Sequence, residues 1–314
     1  MKTDLLLSTN HLFMVDPVGF GFNFETAESN AFQQAPSFQE IHEIELLARK
    51  EFDSYANLLT KNGMTVHTLI GQNGLPDAVF PNNLFSTHAD GTWIQYPMMA
   101  LNRQSERQLQ PAEFLMKKGF EISSTLDLTH WETQNAFLEG TGSLILHPHE
   151  KTAWMAISPR AHLNVAQEWS KKTGYQLHSF CTHDQSGKPV YHTNVIMAVG
   201  SHWHFICEEM IISYSSIEDS LTKLNSQPIN ISMEQVYQFC GNVLEVKNEQ
   251  GTPFGVISKT AWNSLHHHQK RAWEKSVQPL IVDISTIERI GGGSARCMLA
   301  EIFLPYKHSM SMTT

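Results

Sequence analysis

The chain has 314 residues, 22 Lys+Arg against 31 Asp+Glu, a formal net charge of −9 and 41% apolar residues, enough to build the core of one large domain, 1–314. An acidic chain without basic runs excludes sequence-independent binding to nucleic acid. No segment approaches the ~18 to 20 apolar residues of a membrane span, and the first residues do not resemble a signal peptide, so we expect a cytoplasmic protein without a membrane partner.

The predicted elements repeat one pattern along the chain. A helix ends in lysine or polar residues, a glycine follows, and an alternating strand begins after Gly63, Gly119 and Gly174. Glycine adopts the left-handed conformation that ends a helix, and lysines suit the negative end of the helix dipole. The apolar positions of the first such helix fall near one face, at Ile41, Ile44, Leu47, Ala48, Tyr55 and Leu59.

Two weaker copies of the pattern follow, in which Pro228 and Pro279 replace the glycine as the residue that ends the helix. The five marks lie 51 to 56 residues apart, with short strands predicted between them. A repeat of this length forms an open solenoid or a closed ring, and neither terminus has the polar cap that a solenoid needs. The sequence therefore predicts an α/β fold, a five-bladed propeller of five helix-plus-strands repeats.

A second regularity appears 14 to 20 residues after each mark, where one residue stands in a polar or glycine-rich break. These residues are, in chain order, Asn83, Glu139, His192, Asn242 and Cys297. Equivalent positions of a closed ring face a common axis, so we expect the five side chains to meet in one pocket. That pocket would hold a thiol, an imidazole, a carboxylate and two amides.

Cys297 and His192 in one pocket indicate covalent catalysis. The thiolate is the reactive form of cysteine, and an adjacent imidazole can take the thiol proton. A carboxylate such as Glu139 can orient the imidazole or hold the substrate. The four cysteines of the chain include no C-x-x-C pair and are too sparse for a disulfide framework, so we expect reduced thiols.

The 17 histidines raise an alternative, a metal enzyme. The pairs His147 with His149 and His202 with His204 would each place two rings on one face of a strand, as metal sites often require. None of these pairs lies at the phase of the five pocket residues, and the run 266–268 is predicted to be a solvated helical stretch. We therefore expect neither a metal nor a cofactor, and loss of activity in EDTA would indicate the opposite.

Five motifs surround the pocket residues, namely Asp77-Ala-Val-Phe-Pro-Asn-Asn83, Glu139-Gly-Thr-Gly142, Ser158-Pro-Arg160, His192-Thr-Asn194 and Gly291-Gly-Gly-Ser-Ala-Arg-Cys297. Together they resemble the guanidino-group-modifying superfamily, the pentein-fold enzymes, which include arginine deiminase, dimethylarginine dimethylaminohydrolase and the amidinotransferases. The resemblance runs from residue 13 to residue 305. It implies the same propeller, with Cys297 as nucleophile, His192 as general acid/base and Glu139 as its carboxylate partner.

Within that superfamily the chain most resembles the citrulline-utilisation hydrolases. The likeness rests on Phe20-Gly-Phe-Asn-Phe-Glu-Thr26, Asn30-Ala-Phe-Gln33, the Phe-Pro-Asn-Asn element and Gly241-Asn-Val-Leu-Glu245. Dimethylargininases carry an acidic pair where this chain has Asn82 and Asn83. Arginine deiminases read His-x-Asp where this chain has Asn194. Three carboxylate positions have thus become amides, whereas Asp77 keeps its carboxylate.

These substitutions favour a neutral ureido substrate. A buried guanidinium requires carboxylate partners, whereas a ureido group offers a carbonyl acceptor and N–H donors that side-chain amides can match. We expect Cys297 to attack the ureido carbon of citrulline or a related amino acid, giving an S-carbamoyl-type intermediate and releasing ornithine and ammonia. The substrate would contact Asp77, Asn82, Asn83, Asn194 and Asn242.

Two arginines match family positions near the amino-acid end of the substrate. Arg160 would bind the substrate carboxylate by bidentate pairing, and Arg103 would line the site. The expected partner is a small amino acid, and the sequence leaves a homodimer open.

The sequence also leaves two other functions possible. One is an arginine deiminase, dimethylargininase or amidinotransferase with the same Cys, His and Glu, and the other is a non-catalytic propeller that binds an amino acid or a protein.

Overall fold

The computed structural model of the protein describes residues 7–37 and 40–306. The strands of these residues are β1 His11–Val15, β2 Thr65–Leu69, β3 Phe85–Thr87, β4 Thr92–Gln95, β5 Ser124–Asp127, β6 Ile145–His147, β7 Thr152–Ala156, β8 Gln176–Thr182, β9 Met197–Val199, β10 Trp203–Ile206, β11 Ile211–Ile212, β12 Gln227–Asn230, β13 Leu244–Lys247, β14 Pro253–Ser258, β15 Gln278–Val282 and β16 Ala300–Glu301.

The helices of the same residues connect these strands. They are α1 Ile41–Lys61, α2 Leu101–Ser105, α3 Pro111–Lys117, α4 Gly140–Ser143, α5 Leu163–Thr173, α6 Ser215–Thr222, α7 Met233–Val236, α8 Lys259–Ser264, α9 His267–Trp273 and α10 Ser285–Gly291. Short 3₁₀ turns include Pro81–Asn83 before β3 and Thr193–Val195 before β9. No helix in the described part of the chain combines the length and the apolar character needed to cross a membrane.

Within the described residues the strands form five small sheets with one recurring arrangement. The first strand pairs antiparallel with the second, and the second pairs parallel with a third. In the sheet of β3, β4 and β5, Phe85 lies opposite Gln95 in the antiparallel pair and Thr92 lies opposite Ser124 in the parallel pair. A parallel pair needs a long crossover, and each crossover contains at least one helix. The predicted unit of a helix plus short strands is confirmed.

The two ends of the described chain close the ring. β16 pairs antiparallel with β1, with Leu12 opposite Glu301, and β1 pairs parallel with β2. The first strands of neighbouring sheets contact one another, as β6 does β9 and β3 does β16. The predicted five-bladed α/β propeller is thereby confirmed, and its first blade takes its innermost strand from the far end of the sequence.

The five marks of the repeat all lie at the third strand of a blade, but for two different reasons. Gly63, Gly119 and Gly174 have φ values of 86°, 97° and 74°, the left-handed conformation predicted for a helix end. The prediction for Pro228 and Pro279 was wrong, because each is the second residue of a strand, β12 or β15, and does not end a helix. Both strands lie at the edge of their sheets, where a residue without an N–H is tolerated.

The helices pack their apolar faces against the blades. In α1, Ile44, Ala48 and Tyr55 are buried together with side chains of β1, β14 and β15. Leu47, which the sequence placed on the same face, is 39% exposed. Leu47 lies at the margin of the apolar stripe. The stripe is therefore narrower than predicted, but it faces the predicted direction.

Candidate active site

The structure places the five repeat-phase residues immediately before the innermost strands. Each of them is followed within a few residues by the first strand of a blade, β3, β6, β9, β13 or β16. All five side chains are buried, with at most 5% exposure. This common position follows from the ring topology, since the chain crosses the same end of the axis each time it enters a blade.

Glu139 and His192 form the first contact of the site. His192 Nε2 lies 2.8 Å from Glu139 Oε2, and the backbone N–H of Met99 donates to Glu139 Oε1 at 3.0 Å. Burial opposes ionisation of Glu139, but the charge of Arg160 and the contact with His192 lower its pKa to about 2. Burial lowers the pKa of His192 to about 4, although Glu139 acts in the opposite direction. At neutral pH a carboxylate therefore accepts the Nε2 proton of a neutral imidazole, and Nδ1 keeps its lone pair.

Arg160 lies on the other side of Glu139. Its Nη1 is 3.6 Å from Glu139 Oε2, and its guanidinium stacks over the ring of Tyr191 with 5.0 Å to the centroid. Nε and Nη2 both donate to Ser29 Oγ, at 3.1 and 2.5 Å. A single hydroxyl thus occupies the two donors that a carboxylate would engage in a bidentate pair.

Cys297 receives hydrogen bonds from two amides. Asn242 Nδ2 lies 3.1 Å and Asn194 Nδ2 lies 3.6 Å from its Sγ. The backbone N–H of Cys297 donates to Asn242 Oδ1 at 3.3 Å. The cysteine follows α10 and precedes β16, and its side chain is 5% exposed.

Asn83 is held by Arg103. Arg103 Nη1 donates to Asn83 Oδ1 at 2.7 Å, which leaves Asn83 Nδ2 without a hydrogen-bond partner. That Nδ2 and His192 Nδ1 both approach Gly142, where a Cβ atom would lie 2.2 and 2.8 Å from them. Only glycine leaves room for the amide and the imidazole to come together there.

The contacts of Arg103 differ from the sequence prediction, which placed it against the substrate. Its Nε and Nη2 pair with Glu106 at 2.9 and 3.0 Å, and Nη2 also donates to the carbonyl of Phe80 at 2.9 Å. A buried guanidinium with these partners is satisfied within the protein. Arg103 orients Asn83 and has no donor fork left for a carboxylate.

The segment 23–33 lies across the site residues. Asn23 Nδ2 donates to Asp77 Oδ2 at 2.7 Å, and Asn30 Nδ2 donates to the carbonyl of Gly291 at 3.3 Å. Burial raises the pKa of Asp77, although the charge of Arg103 opposes this. Residues of this segment carry part of the family resemblance, but none of them was predicted from the sequence to be a site residue. The Asn and Thr side chains of this segment were the sequence feature that could have pointed to the site, although the local sequence does not predict what they contact.

Several buried polar atoms at the site have no hydrogen-bond partner. They are Asp77 Oδ1, Asn82 Nδ2, Asn82 Oδ1, Asn83 Nδ2 and Asn194 Oδ1. Among the described residues, the only other side-chain atoms of this kind belong to two tryptophans. A buried polar atom without a partner costs free energy, so its concentration at one place indicates a ligand site. The contacts of the site join Glu139 with His192 and Arg160, Cys297 with Asn242 and Asn194, and Asn83 with Arg103, which takes a supporting position.

The other described histidines form no hydrogen bond with Glu139, His192 or Cys297. Among residues 7–37 and 40–306, no three His, Cys, Asp or Glu side chains are close enough together to hold a metal ion. His266 caps α9 and, like the two histidines after it, is exposed. A separate cavity of about 110 Å³ runs between the innermost strands, and Asn194 is its single contact with the predicted site residues. The unpartnered groups of Asp77, Asn82 and Asn83 do not line it.

Solved structures share this fold. The apo structure of ArgZ, an arginine dihydrolase from the ornithine-ammonia cycle in cyanobacteria, has a TM-score of 0.72 at 14% identity, over 95% of this chain and 41% of that chain. Its N-terminal domain, a cysteine-to-serine variant bound to substrate, has the same TM-score and identity over 94% of this chain and 99% of that chain. This chain therefore spans less than half of full-length ArgZ and nearly all of its N-terminal domain.

A third structure is a cysteine-to-serine variant of DDAH from Pseudomonas aeruginosa complexed with citrulline. Its TM-score is 0.66 at 13% identity, over 93% of this chain and 98% of that chain. No curated protein sequence matches the chain. The family described as N,N dimethylarginine dimethylhydrolase, eukaryotic, matches residues 16–304. The chain belongs to this family, within the pentein superfamily of guanidino-modifying enzymes.

Proposed function

We propose that the protein is a cysteine hydrolase acting on the ureido carbon of citrulline or a closely related amino acid. The observation that carries this proposal is the set of unpartnered groups, which combines donors and acceptors. Asn82 Nδ2 and Asn83 Nδ2 are donors, whereas Asp77 Oδ1, Asn82 Oδ1 and Asn194 Oδ1 are acceptors. A ureido group has a carbonyl oxygen for the first set and N–H groups for the second.

A guanidinium matches this set less well. It carries only donors, so the two amide nitrogens would stay unpartnered in the complex. The identity of Asn83 Nδ2 as the free atom is supported by Arg103, because a guanidinium donor requires Oδ1 on its own side. Leaving a buried donor unpaired costs about 1 to 3 kcal/mol, which favours the ureido substrate.

The first chemical step breaks the bond between the ureido carbon and the side-chain nitrogen. The thiol proton of Cys297 passes to His192, the sulfur adds to the ureido carbon, and the imidazolium then protonates the departing nitrogen. Ornithine leaves, and the carbamoyl group stays on sulfur as an S-carbamoyl thiocarbamate. Glu139, ionised beside the imidazole, stabilises the transient charge on His192.

The second step returns the free enzyme. Neutral His192 takes a proton from a water molecule, the oxygen adds to the carbamoyl carbon, and the C–S bond breaks. Carbamate leaves and decomposes to ammonia and carbon dioxide, while the proton returns to the sulfur. Each step uses the same imidazole, whose orientation the bond from Nε2 to Glu139 maintains.

The amino-acid end of the substrate would be bound by Arg160. Its two parallel donors face Ser29 Oγ, which a carboxylate could replace. We expect this exchange to require a shift of the segment around Ser29. Arg103 takes no part in it, since Glu106 already occupies its fork.

A guanidino substrate is the second candidate, and one observation supports it. Asp77 keeps an unpartnered carboxylate oxygen, Oδ1, in the pocket. The family match concerns dimethylarginine, and ArgZ is described as an arginine dihydrolase. Burial raises the pKa of Asp77, however, so the empty pocket does not favour the negative charge that a guanidinium needs.

A product assay separates the candidates. Purified protein is incubated with citrulline, arginine, dimethylarginine or agmatine, and ornithine, citrulline and ammonia are quantified. We expect ornithine and ammonia from citrulline, and at least about a thousandfold less activity from Cys297→Ser. Turnover of arginine or dimethylarginine but not of citrulline would replace the ureido proposal by the guanidino one. Binding of an amino acid without turnover of any substrate would indicate a non-catalytic propeller.

A further inference from the structure

We propose that Asn242 is a catalytic residue that stabilises the thiolate formed when the Cys297 thiol gives its proton to His192, with Asn194 as a second and more distant donor. From the sequence, both amides were predicted to contact the substrate only. The inference rests on the cysteine chemistry of the proposed function and adds the question of how the nucleophile is activated.

The contacts of the sulfur carry this proposal. Asn242 Nδ2 is 3.1 Å and Asn194 Nδ2 is 3.6 Å from Cys297 Sγ. Within the described residues both hydrogen-bond donors to Sγ are amides, and neither is an imidazole. The side chains of Asn242 and Asn194 are 2% and 1% exposed, so water does not compete with them. Hydrogen bonds to a charged acceptor in such surroundings are stronger than those to a neutral one.

The orientation of the Asn242 amide is determined by its other partners. Oδ1 accepts the backbone N–H of Cys297 at 3.3 Å, and Nδ2 also donates to the carbonyl of Asn194 at 3.2 Å. A flipped amide would lose both bonds and would place an oxygen lone pair against the sulfur. The two atoms of one side chain therefore bind the backbone and the side chain of the same cysteine.

The backbone before Asn242 is constrained into this position. Phe239 has a left-handed φ of 62°, which is uncommon for a non-glycine residue. The chain then passes so close to the 3₁₀ turn Thr193–Val195 that a Cβ atom on Gly241 would lie 2.1 Å from the carbonyl oxygen of Val195. This close approach places Asn242 next to Asn194, two residues after His192.

His192 is engaged elsewhere. Its Nε2 is bonded to Glu139, and burial lowers its pKa to about 4. A neutral imidazole contributes no positive charge that would stabilise a thiolate before it accepts the proton of Cys297. The two amides therefore stabilise the anion on sulfur, whereas His192 transfers protons during the reaction.

Alkylation by iodoacetamide tests this division without any substrate. The second-order rate constant at Cys297, located by peptide mass spectrometry, is measured across pH for the wild type, Asn242→Ala, Asn242→Asp, His192→Ala and the control Asn248→Ala. Asn248 lies in the turn after the same strand, β13, and its Oδ1 accepts the N–H of Thr252 at 2.8 Å. The Asn248→Ala variant thus loses a comparable amide hydrogen bond far from the sulfur.

For Asn242→Ala we expect the pH of half-maximal rate to rise by about one unit and the rate at neutral pH to fall about tenfold. The alkylation rate of Asn242→Asp at neutral pH should fall further, since the negative charge of a carboxylate disfavours the thiolate. The rate of Asn248→Ala should stay within about twofold of the wild-type rate, and the rate of His192→Ala should fall less than that of Asn242→Ala. The position of the half-maximum separates stabilisation of the thiolate from easier access, which raises the rate equally at every pH.

The inference is overturned if Asn242→Ala keeps the wild-type pH profile, or if His192→Ala shifts it more than Asn242→Ala does. Circular dichroism checks that each variant folds. Should Asn242→Ala not fold, Asn194→Ala carries the same test, with an expected fall of a few-fold. Because no substrate is present, failure of the citrulline assay with a shifted alkylation profile would reject the proposed function and leave this inference standing.

Discussion

Two sets of site residues differ in how completely their polar groups are paired. The Glu139 wall consists of Glu139, Arg160 and His192, and contacts within the protein engage both oxygens of the carboxylate. The Asn82 wall consists of Asp77, Asn82 and Asn83, and each of these side chains has at least one buried atom without a partner.

Under the proposed function, this difference assigns the chemistry to the Glu139 wall and substrate binding to the Asn82 wall. A paired network holds the imidazole in one orientation and one protonation state before substrate arrives, as catalysis requires. An unpaired wall is costly in the empty protein and recovers that cost only when a substrate supplies the missing partners. Substitutions in the Glu139 wall should therefore affect turnover, and those in the Asn82 wall should affect binding.

The largest expected effect concerns the Glu139 wall. Glu139→Gln removes the charge that stabilises a protonated His192 and leaves Arg160 buried without its anion. We expect kcat on the accepted substrate to fall by about 10² to 10⁴ with a smaller change in KM. Glu132→Gln is the matched control, because Glu132 Oε1 accepts the N–H of Met98 as Glu139 Oε1 accepts that of Met99. A mainly KM-based loss in Glu139→Gln would break the contrast between the walls.

The Asn82 wall should respond in the opposite way. Asn82→Leu removes two unpartnered buried atoms, so we expect KM to rise about tenfold or more while the free energy of unfolding stays the same or increases. Its neighbour sharpens the test. Asn83→Leu also deprives Arg103 of an acceptor and should lower the free energy of unfolding by about 1 to 3 kcal/mol. Urea unfolding of both variants checks this, and equal destabilisation would contradict it.

The pH dependence of stability provides a third comparison. Burial lowers the pKa of His67, His88, His192 and His204 to about 4, below the ordinary value of 6.5. The unfolded chain binds more protons between these values, so stability should be complete above pH ~6.5 and decline toward pH ~4. Glu139, with a pKa of about 2, adds a further loss below pH ~4.5.

Asp77, on the Asn82 wall, contributes to the pH dependence of stability with the opposite sign from these histidines. Burial raises its pKa, so its contribution to stability decreases as pH rises above 3.8. Asp77→Asn should therefore make the decline in stability toward low pH steeper than in the wild type. Urea unfolding at several pH values between 4 and 7.5 measures both slopes, and parallel curves would contradict the assignment.

The smallest expected effect lies where segment 23–33 meets Arg160. Ser29→Ala removes the hydroxyl that occupies the donor fork, so a substrate carboxylate no longer has to displace it. We expect KM for an amino-acid substrate to fall about two- to fivefold with kcat nearly unchanged. Ser37→Ala, in the same connection but bonded to Glu40, serves as control. An increase in KM would indicate that Ser29 itself contacts the substrate.

Much of the fold could be predicted because its signals are local. The glycines at residues 63, 119 and 174 mark the third strands by a backbone preference that needs no distant partner. The same reasoning failed at Pro228 and Pro279, since proline suits both a helix end and an edge strand. Only the sheet order distinguishes the two, and that order depends on pairing with strands far away in sequence.

The site residues could be located by the repeat, but their partners could not. Arg103 and Arg160 looked alike as candidates for the substrate carboxylate, and the structure separates them through Glu106 and Ser29. Segment 23–33 has no periodic pattern. Its contacts reach Asp77, 54 residues away, and Gly291, 261 residues away. No local preference encodes such pairs.

The repeat in the sequence predicts the number of blades and the phase at which Asn83, Glu139, His192, Asn242 and Cys297 enter the ring. Both features follow from periodicity, which each segment carries alone, whereas the amides in place of carboxylates stand out through the family resemblance. Which polar atoms are paired and which have no partner follows from the folded ring. Pairing depends on distances of about 3 Å between residues from different blades, and those distances exist only once the ring has closed.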